Sequence, residues 1–244
     1  MLEGYRTLKI LSNEEIASNI FEIKLEIGSI ETIKPGHFFM IRGWEGNDPF
    51  LPRPISVADV EEGVLTFLYE VRGRGTHIIS KICPGDTLDI LGPLGNGFQL
   101  NKAKRTALIS GGIGIAPMFY LLKELEGEID FYAGFRNEVY WMEKIEKVAT
   151  KLDISTEDGS CGHKGFCIDN FNPKEYDQVL TCGPIPMMKR VVEMCQGIVP
   201  VQVSMESKMA CGIGACLGCT IETPHGMKRV CKEGPVFKGE EVIF

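Results

Sequence analysis

The chain has 244 residues, 44% hydrophobic and 24% charged, with a net charge of −7. That length allows two modest domains with proper cores, and the acidic balance excludes a chain built to hold nucleic acid or an anionic membrane surface. No apolar run approaches the roughly 18 residues of a membrane span, and the N-terminal stretch with Glu3, Glu14 and Glu15 lacks the apolar centre of a signal peptide, so a cytoplasmic location is expected.

The first hundred residues read as short strands. YRTLKIL, IFEIKLEI, HFFMIR, VLTFLYEV and DTLDIL alternate or nearly so, with Leu65, Phe67, Tyr69 and Val71 on one face of the fourth. Pro35-Gly36, Glu62-Gly63, Pro84-Gly85 and Gly92-Pro93 punctuate them. This spacing predicts a small antiparallel barrel, interrupted by one short helix near His77 to Ile82. From Ala103 the rhythm becomes strand, glycine turn, helix. TALIS, EIDFYAGF, LDIST, DQVLTCG and VPVQVSM read as strands, and helices are predicted over PMFYLLKELEG, EVYWMEKIEKVA and PMMKRVVEMCQG. Strands alternating with helices make a parallel α/β sheet. The last forty residues read as loop. The expected units are therefore 1–102, 103–204 and 205–244.

Four runs carry candidate chemistry. SGGIGIAP (110–117) follows a strand and opens a helix, where glycines admit a pyrophosphate and the helix start favours an anion; it also fits a plain tight turn. Pro117 stands where the usual dinucleotide fingerprint has its third glycine. The second strand ends in Gly134-Phe135-Arg136, with no acid for a ribose 2′-hydroxyl; Arg136 can face a 2′-phosphate or simply water. LPRPISVADV (51–60) offers Arg53 as a phosphate clamp and Ser56 as a donor to a ring nitrogen, or is a proline-rich edge strand. RGRGT (72–76) is a turn with Thr76 as a helix N-cap. TCGP (181–184) lies where a parallel sheet places ligands, although on its own Cys182 reads as a buried strand-end thiol.

Nine cysteines are the strongest signal. In a reducing compartment thiols are metal ligands or buried fillers rather than disulfides. Cys211, Cys216, Cys219 and Cys231 follow C-x4-C-x2-C-x11-C, with Gly212, Gly214 and Gly218 among them. Plant-type ferredoxins bind a two-iron cluster with C-x4-C-x2-C and a more distant fourth cysteine. A four-cysteine zinc site usually pairs two C-x2-C knuckles, and one is present here, so the spacing favours iron–sulfur. Cys83, Cys161, Cys167 and Cys195 are scattered and read as ordinary thiols.

A small barrel with RPIS, then an α/β unit with GGIGIAP and CGP, resembles the ferredoxin–NADP reductase superfamily. SMESKMACGIGACLGC narrows the match: the chain is similar to the electron-transfer subunits of two-subunit, NAD-dependent dihydroorotate dehydrogenases, over its whole length, with LGPLGNGF and DGSCGHKG in the expected order. The resemblance implies that Arg53, Pro54, Ile55 and Ser56 hold the flavin of FAD, Arg53 on the pyrophosphate and Ser56 near the redox-active ring nitrogen. It implies that Leu68, Tyr69 and Glu70 run beside the flavin and ribityl chain, and that Gly75 and Thr76 form the pyrophosphate turn. Gly111, Gly112, Gly114 and Pro117 then match the nicotinamide-nucleotide turn, and Cys182, Gly183 and Pro184 its nicotinamide end. Cys211, Cys216, Cys219 and Cys231 match the ligands of a 2Fe-2S cluster. No residue of the chain is implied as a catalytic acid or base. Electrons are expected to reach NAD+ from an FMN-containing partner that oxidises dihydroorotate, in a two-plus-two heterotetramer. The rivals are a subunit of another flavin and iron–sulfur oxidoreductase, of ferredoxin–NADP or sulfide dehydrogenase type, and a zinc-binding module that senses nucleotide redox state.

Overall fold

The computed structural model describes residues 4–28 and 32–244; Glu3, part of the N-terminal reading, lies outside them. Six strands, β1 (Tyr5–Ala17), β2 (Ile20–Glu26), β3 (Phe38–Arg42), β4 (Arg53–Glu61), β5 (Val64–Glu70) and β6 (Thr87–Leu94), close into an antiparallel barrel in the order β1-β2-β5-β4-β3-β6. The alternation of β5 is used on both sides. Leu65, Phe67 and Tyr69 join Ile10, Ile23, Phe39 and Ile90 in the barrel interior, while Leu68 packs with the core of the following unit. The helix α1 (Arg74–Ile79) starts earlier than the sequence suggests. Its N-cap is Gly73, and Thr76 serves from inside the first turn: its Oγ1 accepts from the N–H groups of Arg72 and Gly73 at 3.1 and 3.2 Å.

The second unit is a mainly parallel sheet. Its strands are β7 (Arg105–Gly111), β8 (Glu128–Phe135), β9 (Lys151–Thr156), β10 (His163–Lys164), β11 (Gln178–Cys182) and β12 (Val201–Ser204). The helices are α2 (Ile115–Glu124), α3 (Met142–Glu146) and α4 (Ile185–Cys195). α2 is buried from Ile115 to Leu122 because it lies between this sheet and the barrel; its Tyr120 hydroxyl donates to the Ile33 carbonyl at 3.2 Å. The helix predicted over residues 138–149 is only α3, because Trp141 adopts a left-handed φ of 64° that breaks the helical path before it.

Trp141 holds that conformation through Glu22 on the barrel. The indole N–H donates to Glu22 Oε2 at 2.7 Å, and Lys144 Nζ reaches the same oxygen at 2.7 Å. Burial alone raises the Glu22 carboxyl, but Lys144 and Lys24 hold it below its ordinary value. Glu22→Ala strands these donors, so it is expected to cost about 1–3 kcal/mol in urea unfolding. Since the folded pKa is depressed, this contribution is complete above the unfolded pKa of about 4.3 and drains as pH falls through the folded one. The wild-type advantage over Glu22→Ala will therefore shrink in acid.

The last forty residues are more ordered than their composition suggests. The strands β13 (Thr220–Thr223) and β14 (Gly226–Arg229) form a hairpin, and β15 (Val236–Lys238) returns to pair antiparallel with β12. A separate core, including Phe38 and Met40 of the barrel, Val203 and Met205 of the sheet, and Cys219, Val230 and Phe237, joins all three parts. The LGPLGNGF run supplies the seat. Asn96 N–H donates to the Gly234 carbonyl at 2.6 Å, and its side-chain amide reaches the Lys232 and Glu233 carbonyls, each at 3.1 Å.

Candidate functional site

Two glycine turns meet at the carboxyl edge of the parallel sheet. β7 and β11 are adjacent, with Ser110 opposite Cys182, so GGIGIAP and CGP emerge side by side. Gly114 makes their contact possible: a Cβ there would lie 2.3 Å from the Cys182 carbonyl oxygen. Gly112 differs, with a left-handed φ of 54° and open space where a Cβ would point. The Cys182 thiol is buried, which pushes its pKa up strongly. Pro117 is enclosed in α2.

A cleft of about 2050 Å³ runs from these turns to the barrel. A site for one small ligand or cofactor occupies roughly 300–1000 Å³, so this cleft has room for more than one. Of the residues singled out by sequence, Arg53, Pro54, Glu70, Gly111, Gly112, Gly114, Gly183 and Pro184 line it. Ile55 and Ser56 continue along β4 beyond Pro54, both partly buried. Gly75 lies against the Arg53 guanidinium, with Thr76 beside it in α1. Leu68 and Tyr69 are core residues, and the Tyr69 hydroxyl donates to Asn13 at 2.9 Å, so along β5 only the Glu70 side chain reaches the cleft.

Sequence reading passed over several lining residues. Arg72 pairs with Glu70 at 2.6 Å. Tyr140, edge-on to Phe135 at 5.0 Å, forms part of the wall. Glu206 comes from the linker between β12 and the cysteines; it opens onto the cleft, and enclosure by the walls pushes its carboxyl up while Arg72 pulls it down. Glu157, one residue past β9, lines the same end as Arg136, and its N–H donates to the Phe135 carbonyl at 3.1 Å. The end of β8 lacks an acid, but the neighbouring strand β9 brings the Glu157 carboxylate to the same wall, which no spacing rule along the chain reveals.

In the cysteine segment the backbone sets Cys216 beside Cys211 and Cys231 beside Cys219. Backbone N–H groups point at the sulfurs: Gly214 to Cys231 at 3.1 Å, Cys216 to Cys211 at 3.4 Å and Cys231 to Cys219 at 3.4 Å. Burial would raise Cys211, yet the N–H groups of Cys216 and Ile213 pull it down to about 6. Cys231 is pushed up to about 12 by burial and the adjacent Cys219. Among the described residues no three His, Cys, Asp or Glu side chains gather as ligands of a single ion. The C-x4-C-x2-C spacing with a more distant fourth cysteine suits a two-iron cluster, whereas a four-cysteine zinc site usually pairs two C-x2-C knuckles. A loop that directs N–H donors at thiolates suits a cluster, whose sulfurs take such bonds. One side of it is open: Leu217 is 62% and Ile213 50% exposed, flanking the exposed Cys216.

Residues 206–243 match the iron–sulfur cluster binding domain of dihydroorotate dehydrogenase B. The whole chain is 49% identical to the electron transfer subunit of dihydroorotate dehydrogenase B (NAD(+)) of Clostridium acetobutylicum, over 100% of this chain and 99% of that one. Its identity to the Clostridium perfringens subunit of the same name is 46%, over 97% of each chain. Among solved structures it is similar to an NADH-dependent reduced ferredoxin–NADP oxidoreductase, with a TM-score of 0.87, 28% identity and coverage of 99% of this chain and 91% of that one. A Neisseria gonorrhoeae ferredoxin–NADP+ reductase with bound FAD and NADP shares the fold at a TM-score of 0.65 and 16% identity, over 80% of this chain and 92% of that one. With a reductase barrel, a dinucleotide-sized cleft and a four-cysteine loop in one chain, and relatives this close along its full length, the chain belongs to the family of electron transfer subunits of NAD(+)-dependent dihydroorotate dehydrogenase B.

Proposed function

We propose that this chain carries electrons from a dihydroorotate-oxidising partner subunit to NAD+ in pyrimidine biosynthesis. The observation that carries this is the packing of the cysteine loop onto the barrel through one shared core, beside a cleft with room for more than one cofactor. When bound, the cluster supplies one-electron transfer and FAD couples single electrons to hydride transfer.

The chain's own work is binding and orientation. Arg53 offers a bidentate fork to the FAD pyrophosphate, with Pro54, Ile55, Ser56 and the backbone of Leu68, Tyr69 and Glu70 along the flavin, and the Gly75-Thr76 turn at the phosphates. Gly111, Gly112, Gly114 and Pro117 form the NAD turn, and Cys182, Gly183 and Pro184 close its nicotinamide end. Glu157 supports NAD over NADP, since a carboxylate accepts from a ribose 2′-hydroxyl and repels a 2′-phosphate. Cys211, Cys216, Cys219 and Cys231 hold the 2Fe-2S cluster. The exposed Ile213 and Leu217 beside Cys216 form an apolar face for the partner, which keeps the electron path between the proteins short. On this reading the functional units are 1–102 for FAD, 103–204 for NAD and 205–244 for the cluster. The partner contains FMN, and the assembly is a two-plus-two heterotetramer in the cytoplasm. Among the described residues no helix is long and apolar enough to cross a membrane.

The likeness to the NADH-dependent ferredoxin–NADP oxidoreductase supports a second reading, a carrier serving another flavin and iron–sulfur enzyme. One experiment separates the two. Anaerobically, dihydroorotate is added to this protein mixed with the dihydroorotate-oxidising subunit, before NAD+. Bleaching of flavin and cluster, followed by NADH formation, is the expected result. Reduction by NADH or NADPH alone, with dihydroorotate inert, selects the second reading. Failure of the FAD- and iron-loaded chain to oxidise NADH with an artificial acceptor rejects both.

A further inference from the structure

We infer that Trp44 is a positioning residue that holds the Arg53 guanidinium ready for a phosphate; this rests on the reading of Arg53 as a ligand of the FAD pyrophosphate. The neighbouring arginines are already engaged. Arg72 pairs with Glu70 at 2.6 Å and Arg74 with Asp48 at 2.5 Å, and Arg42 donates to the carbonyls of Trp44 and Gly46. Arg53 pairs with no carboxylate among the described residues; its Nη1 donates to the carbonyls of Leu51 and Pro52 at 2.5 and 3.5 Å.

The guanidinium is held instead by an aromatic ring and a glycine. Its central carbon lies 5.6 Å from the centroid of the Trp44 ring. Gly75 supports it elsewhere: a Cβ at that residue would lie 2.7 Å from Arg53 Nε and 2.8 Å from Cζ. A carboxylate would position the arginine equally well but would neutralise it and occupy its fork. A ring attracts the cation through its quadrupole and leaves the remaining N–H edge for bidentate contact with an anion. The indole is itself fixed. Its Nε1 donates to the Pro49 carbonyl at 2.6 Å, and Arg42 lies 5.7 Å from the same ring. The bond between Asp48 and Arg74 ties the intervening loop to α1. The segment between β3 and β4 is thus folded to bring Trp44 to Arg53.

The test is a double-mutant cycle on the full, cluster-loaded chain, stripped of flavin and titrated with FAD. Trp44→Leu is expected to weaken FAD binding roughly 2- to 30-fold, the equivalent of a cation–π contact of about 0.5–2 kcal/mol. Trp44→Phe should recover at least half of that loss on a logarithmic scale. In an Arg53→Gln background Trp44→Leu should change the affinity less than about twofold, since the two residues act as one unit. Equal weakening in both backgrounds would make Trp44 a loop-packing residue and overturn the inference, as would no weakening at all. If Arg53→Gln alone leaves FAD affinity unchanged, the phosphate role of Arg53 falls and the inference with it, a result distinct from the other two. Trp44→Met, similar in length but without a π face, runs the same cycle if the leucine variant does not fold.

Discussion

Cys219→Ser will cut dihydroorotate-dependent NADH formation by roughly a hundredfold or more while leaving NADH oxidation by an artificial acceptor within about twofold of wild type. Cys219 is 2% exposed and its sulfur accepts the Cys231 N–H at 3.4 Å. Loss of an outer-shell partner alone weakens a metal site by roughly 10–100-fold, so loss of a ligand thiolate costs more. Partner-linked turnover is expected to fall by roughly a hundredfold or more on that scale. The flavin and NAD contacts proposed above come from other segments, so hydride exchange at the cleft is expected to persist. Visible absorption and electron paramagnetic resonance of the reduced protein, with both assays on one preparation, check this. An intact cluster signal in the variant would remove Cys219 from the ligand set. Because Cys219 also lies in the core joining the three parts of the chain, a melting curve should accompany the assays.

The second large effect is expected at Gly114. A methyl group there would lie 2.3 Å from the Cys182 carbonyl oxygen, 2.7 Å from its carbon and 2.9 Å from Gly183 Cα. All three are backbone atoms, and no side chain can swing aside to relieve the clash, so Gly114→Ala must push the two turns apart. Forced overpacking costs about 1–3 kcal/mol. A displacement near 1 Å at a reacting site costs on the order of a hundredfold in rate. The expected result is a kcat/KM for NADH reduced by about that factor with flavin content near wild type, because the barrel is untouched. Loss of flavin together with NADH activity would mean that the turn supports FAD as well. Gly112→Ala separates strain from clash: no protein atom stands within 4 Å of its Cβ position, so within the chain only its left-handed φ of 54° opposes the change, at about 1–2 kcal/mol, and because Gly112 belongs to the proposed NAD turn a larger loss of NADH activity would report contact with the nucleotide.

The barrel strands and most of the alternating strands and helices are legible in the sequence because they rest on local periodicity. Trp141 shows where that fails. Its segment has helical composition, but a hydrogen bond to Glu22, 119 residues away, fixes a left-handed backbone that ends the helix early. The C-terminal segment fails for a related reason. β15 is three residues long, too short to show a strand period, and it becomes a strand by pairing with β12 while Asn96 anchors the preceding turn. Along LYE, Tyr69 turns into the barrel while Leu68 shares the face of Glu70, but the core of the second unit covers Leu68, so only Glu70 presents its side chain to the cleft.

By itself the sequence determined the chemistry of this protein. The spacing of Cys211, Cys216, Cys219 and Cys231 and the two glycine turns depend on a few consecutive residues, and resemblance along the whole chain joined them into one electron carrier. Only the tertiary structure decided how these parts meet. It set Gly114 against Cys182 and brought the Cys231 N–H to the Cys219 sulfur. It brought Glu157 to the same end of the cleft as Arg136 and Trp44 to Arg53. Each of these contacts joins residues from different elements, and strand order and close packing fix such contacts where local pattern cannot.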